Sequence, residues 1–207
     1  AFVPRLMPAL YIHTPYCLSK CVYCDFTSGF VPKGDDLDVY SKSLAREMDL
    51  VNKQYIIEDR IGTIYFGGGT PSLFSASQLD FLLKNIHCYF KTDLIEITLE
   101  ANPEDVTSEK ALDWKNLGIN RISLGFQSME DKTLRILNRR NNRDSNLSAF
   151  EILRKAGFDN ISLDVILSIP NSDTLASLVE MVSLQPEHIS AYNLTISPGT
   201  NLFERCQ

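Results

Sequence analysis

Three cysteines, Cys17, Cys21 and Cys24, fall within eight residues of this chain, with the spacing C-x3-C-x2-C. The chain has five cysteines in all. An odd total and such tight clustering are unlike the paired cysteines of a secreted disulfide framework. They favour a metal site in a protein kept in a reducing compartment, where thiols stay free.

Two kinds of metal site come into question for these thiolates. A structural zinc ion takes four ligands, usually arranged as two pairs. A fourth ligand would here have to come from His13, Asp25, Cys88 or Cys206. Three thiolates suit a four-iron, four-sulfur cluster in which one iron has no cysteine. Because an iron without a cysteine is open to a substrate or cofactor, the missing fourth cysteine is informative, and the sequence favours the cluster.

A run of glycines, Gly67, Gly68 and Gly69, follows a short apolar segment and precedes Thr70 and Pro71. Glycine lets the backbone approach a ligand closely and present its N–H groups. The run matches neither the dinucleotide-binding pattern G-x-G-x-x-G nor a phosphate loop with Gly-Lys-Ser/Thr. Taken alone, it is equally compatible with a tight turn that binds nothing.

Short apolar runs alternate with amphipathic segments along the chain. They predict strands at 10–13, 63–66, 95–99, 121–124, 161–165 and 188–192. They predict helices at 37–52, 108–117, 130–137, 145–156 and 174–184, and a further helix that begins at 201. A capping-box signal at Ser75 and Gln78 predicts the start of one more helix. Strands that alternate with helices indicate parallel βαβ units. Since a closed eight-stranded barrel typically needs about 250 residues, the prediction is an α/β fold, either a parallel, partial TIM-type barrel or a doubly wound sheet.

In both architectures the chemistry lies at the carboxyl ends of the strands. The distinctive residues stand there: the cysteine loop after the first strand, the glycines after the second, Glu100 after the third, Gln127 after the fourth and Asp164 in the fifth. Packing alone would not collect polar groups at one rim, so this rim is the predicted functional site. Segments 117–124 and 156–163 also echo each other as helix stop, turn and strand, through either duplication or convergence.

The composition suits one folded domain: 207 residues, 44% hydrophobic and 22% charged. With a formal net charge of −6, the chain has no overall positive charge that would attract nucleic acid, and no nucleic-acid partner is predicted. No apolar run reaches the ~18 residues of a membrane span. The segment 1–12 lacks a small-residue cleavage site and is predicted to be a tail entering the first strand. A cytoplasmic location is expected. Cys88 and Trp114 are expected in the core.

Together these motifs resemble the radical-SAM superfamily, specifically its anaerobic coproporphyrinogen oxidase-like branch. The resemblance covers essentially the whole chain, with the motifs in the family's order. It rests on segments 11–17 (YIHTPYC), 21–26 (CVYCDF), 67–71 (GGGTP), 100–103 (EANP), 121–128 (RISLGFQS), 137–139 (LNR) and 197–200 (SPGT). It implies a (β/α)6-like radical-SAM core that binds a 4Fe-4S cluster and S-adenosyl-L-methionine (SAM).

By this resemblance Cys17, Cys21 and Cys24 hold the cluster, and SAM binds the open iron through its amino and carboxylate groups. The residues implied to contact SAM are Tyr11, Gly68, Gly69, Thr70, Glu100, Gln127, Arg139, Asp164 and Thr195. The chemistry agrees, because a sulfonium, an ammonium and a ribose call for carboxylates and amide oxygens, whereas a carboxylate calls for a guanidinium. Reduction of the cluster by a reductant protein would split SAM into methionine and a 5′-deoxyadenosyl radical.

Several of these residues have simpler alternative roles. Glu100 and Asp164 could be carboxylates that cap helices or bond loops, and Arg139 could be a solvated cation at a helix end. His13 is expected to be a packed, hydrogen-bonded strand residue rather than a ligand. Tyr23 is expected to form an apolar lid over the cluster.

Within the branch, the decarboxylating oxidases have a further cysteine two residues beyond the third, and here that residue is Phe26. The pair Asp25-Phe26 instead resembles the HemW-type heme-chaperone group, which implies heme or a porphyrin as a partner. The family usually has a histidine near Asn141, a glycine-rich run at 167–171 and a glutamate at Ser197. Its C-terminal domain would follow residue 207, so the chain is expected to be one radical-SAM core that ends before that domain.

Three hypotheses follow. The chain is a HemW-type radical-SAM protein, a SAM-cleaving coproporphyrinogen III oxidase, or a non-catalytic cluster-binding relic. The missing fourth cysteine argues against the oxidase. Reductive SAM cleavage separates the relic from the other two, and heme binding separates the first two from each other.

Overall fold

Six parallel strands form the main sheet of a computed structural model that describes residues 7–31, 36–55 and 57–207. In spatial order they are β1 (Ala9–Thr14), β4 (Ile61–Gly68), β5 (Thr92–Ala101), β6 (Arg121–Gln127), β7 (Ile161–Leu167) and β8 (His188–Asn193). Two short strands, β2 (Tyr16–Cys17) and β3 (Gly29–Phe30), pair separately inside the cysteine loop. The predicted parallel α/β core is confirmed. Residues 1–6 of the predicted N-terminal tail lie outside the described residues.

Helices connect the strands in the described part of the chain. They are α1 (Asp36–Gln54), α2 (Ala76–Tyr89), α3 (Ser108–Asn116), α4 (Asp131–Ile136), α5 (Arg143–Lys155), α6 (Thr174–Ser183) and α7 (Asn201–Arg205). The capping box of Ser75 and Gln78 begins α2 as predicted. Helix α5 begins two residues earlier than predicted, because Asn142 and Ser145 cap each other's backbone N–H groups in the same reciprocal way.

Strands β4 to β7 present opposite chemistry on their two faces. Alternate apolar side chains, such as Phe66, Leu99, Leu124 and Leu163, are completely buried in the core with the helices. The residues between them carry polar side chains and include Tyr65, Glu100, Ser123, Gln127 and Asp164. Because successive side chains of a strand point to opposite faces, the polar set faces away from the helices.

The core confirms one prediction about single residues and corrects another. Trp114 is buried, with 1% of its surface exposed. Cys88 is exposed, so its expected place in the core is wrong. The buried stripe of α2 ends at Ile86, and the next helical position on that stripe does not fall on residue 88. Among the described helices, none is long and apolar enough to cross a membrane.

The strands run further than their apolar runs predicted. Gly67, Gly68, Glu100 and Gln127 were expected to follow their strands, but they are among the last paired residues of β4, β5 and β6. Backbone pairing continues there after the apolar pattern stops, as in the register of Glu100 with Ser123. The polar rim is therefore part of the sheet itself, which holds it rigidly.

The two echoing segments lie side by side. The alignment that matches 117–124 with 156–163 in sequence is the register in which β6 and β7 pair, with Ile122 beside Ile161 and Leu124 beside Leu163. The helix stops before them are Gly118 and Gly157, at φ angles of 85° and 87°. The echo thus reflects one repeated structural unit, whatever its origin.

The helix ends give a direct stability test. Gln185 follows α6 at φ 56°, in the left-handed region where Gly118 and Gly157 end α3 and α5. A side chain costs about 1 kcal/mol in that conformation, and glycine is the usual residue there. We expect Gln185→Gly to raise the free energy of unfolding by about 1 kcal/mol in urea denaturation.

The matched control is Gln54→Gly, at the right-handed end of α1. Glycine in a helix lowers stability by roughly 0.5–1 kcal/mol. A Gln185→Gly variant that is destabilised like the control would contradict the expectation.

Candidate functional site

One cavity of about 550 Å³ opens on the polar side of the sheet. Its volume lies within the range of small-molecule sites, roughly 300–1,000 Å³. Of the twelve residues predicted for cluster and SAM binding, eleven line it: Cys17, Cys21, Cys24, Gly68, Gly69, Thr70, Glu100, Gln127, Arg139, Asp164 and Thr195. Residues far apart in sequence thus share one wall.

The cysteine loop is tied to the fold at several points. Its two short strands are joined by backbone bonds from Gly29 to Pro15 (2.8 Å) and from Val31 to Cys17 (3.1 Å). The buried Val22 bonds Leu137 through its N–H (3.2 Å) and accepts a bond from Leu202 (2.8 Å). These bonds fix the loop that carries the three thiols.

The three thiols are reduced and half-buried. Burial raises the pKa of the Cys24 thiol, and a hydrogen bond from the Phe26 backbone opposes this shift. Among the described residues, no three His, Cys, Asp or Glu side chains converge as ligands of a single metal ion. A structural zinc ion takes four ligands, whereas three thiolates suit a four-iron, four-sulfur cluster in which one iron has no cysteine.

The glycine run packs directly against the cysteine loop. A side chain on Gly69 would come within 2.6 Å of the Tyr16 carbonyl oxygen and 3.0 Å of the Cys17 sulfur. Gly68 has φ 110°, and a side chain there would meet the His13 ring at 2.6 Å. Glycine is therefore required at both positions for the contact with His13 and the cysteine loop. Gly68 and Gly69 also line the cavity.

Glu100 is a largely buried carboxylate with two donors. It accepts a hydrogen bond from the Tyr65 hydroxyl at 2.7 Å and one from the Gly68 backbone N–H at 3.0 Å. Burial raises its pKa, and these two hydrogen bonds hold the rise in check. Burial and the neighbouring Glu100 charge also raise the pKa of Tyr65. A carboxylate held this way at a cavity wall suits a cationic ligand.

Asp164 is the second partly buried carboxylate of the wall. Ser123 donates to it at 3.2 Å, and Ser190 bonds it from β8. Burial raises its pKa, whereas these hydroxyls and the charge of Arg121 lower it. Neither Glu100 nor Asp164 caps a helix in this structure. Their location in the cavity wall favours ligand binding over the alternative of a capping role.

Gln127 ends β6 at φ 67°, a conformation that non-glycine side chains rarely adopt. It is buried, and the Tyr192 hydroxyl donates to its amide oxygen at 2.7 Å. Strained residues of this kind concentrate at functional sites, where the surrounding structure holds them. The amide thus stands on the cavity wall in a fixed orientation.

Arg139 is not a solvated helix-end cation. Its Nε donates to Asn141 at 2.9 Å, and its Nη2 donates to the Asn102 amide oxygen at 2.8 Å and to the Gly125 carbonyl at 2.7 Å. Asn141, where the family usually has histidine, thus anchors the guanidinium. The group remains on the cavity wall.

Tyr11 is the one predicted SAM-contacting residue that does not line the cavity. It is 54% exposed, stacks on Tyr65 and bonds the His13 Nδ1 atom at 2.9 Å. The other ring nitrogen of His13 bonds the Thr27 carbonyl at 2.9 Å. Both nitrogens are thus engaged structurally, as expected for a packed strand histidine. A SAM contact for Tyr11 stays a prediction.

Among the cavity residues that were not identified as site residues from sequence, three orient predicted ones: Tyr65, Ser123 and Tyr192. They bond Glu100, Asp164 and Gln127, respectively. Their only signal in the sequence is the alternation of polar and apolar residues within the strands.

Comparison with known proteins agrees with this site. The family model of the Radical SAM superfamily matches residues 11–182. The chain is 39% identical to the heme chaperone HemW of Haemophilus influenzae, over 96% of this chain and 54% of that protein. It is 36% identical to the heme chaperone HemW of Bacillus subtilis, over 97% of this chain and 54% of that protein. The chain belongs to the radical SAM superfamily, and the two relatives named above are heme chaperones. Membership implies a 4Fe-4S cluster and SAM as cofactors.

A solved structure shows the same fold. Coproporphyrinogen III oxidase (HemN) from Escherichia coli superposes with a TM-score of 0.85 and 23% identity, over 96% of this chain and 47% of that one. The radical-SAM core with its parallel six-stranded sheet is thereby confirmed. The chain spans about half the length of the curated relatives it matches.

The raised pKa of Glu100 predicts a stability that depends on pH. A carboxyl group whose folded-state pKa exceeds its unfolded value of about 4.3 stabilises the fold most below that pH, and stability falls as pH rises through the folded-state pKa. Glu100→Gln removes this penalty and can keep both bonds, because the Tyr65 hydroxyl can also accept. We expect the variant without ligand to be more stable than wild type at pH 7, by about 1 kcal/mol, with the difference vanishing near pH 4.

Denaturant unfolding at the two pH values measures this difference. Glu96→Gln, four residues earlier on the same strand, is the matched control, because Glu96 does not line the cavity and accepts a bond only from Thr98 among the described contacts. A Glu100→Gln variant that is less stable than wild type at pH 7 would contradict the expectation.

Proposed function

We propose that this chain binds a 4Fe-4S cluster and SAM in the described cavity, as the core of a HemW-type protein that handles heme. One observation carries the proposal: three thiols, two partly buried carboxylates and an anchored guanidinium line the same cavity. Such a set matches the charges of both cofactors. The thiolates are soft ligands for iron, and the carboxylates and the guanidinium complement the cationic and anionic ends of SAM.

Cys17, Cys21 and Cys24 would hold the cluster, which leaves one iron open to SAM. When bound and reduced, such a cluster supplies the single electron that cleaves SAM to methionine and a 5′-deoxyadenosyl radical. The protein's part is to bind, orient and shield the reactants. Its cavity walls are rigid, since the carboxylates and Gln127 belong to paired strands.

The remaining predicted contacts are assigned to SAM by charge and position. Glu100 and the backbone of Gly68 and Gly69 would meet the methionine end of SAM. Asp164 and Gln127 offer a carboxylate and an amide to its hydroxyl and amino groups. Four of the five N–H groups of Arg139 bond protein atoms, and the fifth suits a ligand carboxylate.

Heme handling is proposed from the names of the relatives, the HemW heme chaperones. Phe26 supports the chaperone over the oxidase: it stands where the oxidases have a further cysteine, lines the cavity and is 58% exposed. An exposed aromatic ring at a cavity mouth suits an apolar planar ligand.

The proposal also covers the compartment, the electron donor and the longer protein to which the chain would belong. A cytoplasmic location is supported by the free thiols, which a reducing compartment preserves. A reductant protein would supply the electron. The chain would act as the radical-SAM core of a longer protein, which its roughly half-length coverage of the relatives supports.

Anaerobic reconstitution with iron and sulfide tests the cofactor sites. We expect about four irons per chain and, after dithionite reduction, an EPR signal that shifts when SAM is added. Cys24→Ala should lose the cluster, whereas the matched control Cys88→Ala should keep it, because Cys88 lies exposed on α2 away from the cavity. Equal iron contents in the two variants would contradict the assignment.

Two further readouts separate the three hypotheses. Formation of 5′-deoxyadenosine, followed by chromatography, distinguishes a SAM-cleaving protein from a cluster-binding relic. Hemin titration followed by absorbance tests heme binding, and SAM-dependent carbon dioxide release from coproporphyrinogen III would support the oxidase instead. A signal indifferent to SAM would overturn the proposed SAM site.

A further inference from the structure

Each thiol of the cysteine loop has a hydrogen-bond donor, and these donors differ in charge. The Thr70 hydroxyl lies 3.4 Å from the Cys17 sulfur. The Phe26 backbone bonds the Cys24 sulfur. Both of these donors are neutral. Cys21 is different, because it is bonded by the Arg139 guanidinium, whose Nη1 lies 3.5 Å from its sulfur, and by the Tyr23 hydroxyl.

The position of the guanidinium is set by the protein. Three bonds to Asn141, Asn102 and the Gly125 carbonyl hold its other nitrogens at 2.7–2.9 Å. Asn141 is fixed in turn, because its amide nitrogen donates to the Phe126 carbonyl at 3.1 Å and to Asn146 at 2.7 Å. The N–H group aimed at Cys21 therefore cannot swing away without breaking buried bonds.

The guanidinium also keeps its charge. Arginine does not lose its proton in proteins. Tyr23 is partly buried beside it, and its hydroxyl is the second donor to the Cys21 sulfur. Tyr23 was expected only as an apolar lid. The structure gives it a polar function at the Cys21 sulfur.

We propose that Arg139, together with Tyr23, raises the reduction potential of the cluster by hydrogen bonding the Cys21 thiolate. The inference rests on the proposed function, because it requires the cluster. Reduction adds one electron from an external reductant to the cluster and its thiolates and breaks no bond. Hydrogen bonds and positive charge at a ligand sulfur stabilise the more negative, reduced form. Arg139 thus acts on the cluster through Cys21.

The test is the midpoint potential of the reconstituted chain without SAM. The protein is titrated anaerobically with dithionite and mediator dyes, and the reduced cluster is followed by EPR. We expect Arg139→Gln to lower the potential the most, and Tyr23→Phe and Arg139→Lys to lower it less. Iron content and circular dichroism check that each variant is loaded and folded.

The matched control is Arg140→Gln. Arg140 also lines the cavity, but it forms ion pairs with Glu104 and Asp105, at 3.5 and 3.8 Å. Its loss removes the same charge from the same cavity and should leave the potential close to that of wild type. Equal shifts for Arg139→Gln and Arg140→Gln would overturn the inference, because they would show a general charge effect.

The remaining variants decide the question if Arg139→Gln does not fold, and the wild-type chain separates this inference from the proposed function. If Arg139→Gln fails to fold, unchanged potentials in Tyr23→Phe and Arg139→Lys overturn the inference, and lowered potentials in both support it. A wild-type chain that binds no cluster would contradict the proposed function as well. A wild-type cluster that responds to SAM, with the same potential in all variants, would contradict this inference alone.

Discussion

The opposite chemistry of the two sheet faces is the constraint on which the rest of the structure depends. Alternate residues of β4 to β7 pack apolar side chains into the helical layer, as Leu99 and Leu163 do. The residues beside them, such as Glu100 and Asp164, must then face the other way. The cavity follows from this alternation, since the strand part of its wall consists of the positions that face away from the core.

This arrangement places charged and conformationally strained residues, which destabilise the fold, at the wall where a ligand would bind. Burial raises the pKa of both Glu100 and Asp164, so the folded chain holds their charges at a free-energy cost. Gln127 adds a left-handed backbone at the end of β6. Bonds from Tyr65, Ser123 and Tyr192 hold these groups in place. A bound cation would repay part of the cost, so ligand binding and stability are linked.

Sequence patterns predicted the six strands of the main sheet and most helices, and the family resemblance supplied most of the eleven predicted residues that line the cavity. The short strands β2 and β3 were not predicted. Sequence patterns also missed Tyr65 and Tyr192, since nothing in a single tyrosine shows which side chain its hydroxyl will meet across a sheet. Cys88 was misplaced because one residue of displacement on a helix decides between core and solvent. The strands were predicted to end too early, because backbone pairing continues beyond the last apolar side chain of each run.

The order of the strands in the sheet follows their order in the chain, apart from the short pair inside the cysteine loop. Each new strand can therefore pair with the one made before it, and the sheet can grow from the N-terminus during synthesis. The cavity wall includes the thiols that follow β1 but also Tyr192 and Thr195 in and after β8. The thiols are made before β8, so the cavity is complete only after β8 has paired with β7. A ligand that needs the whole wall can then bind only after that step.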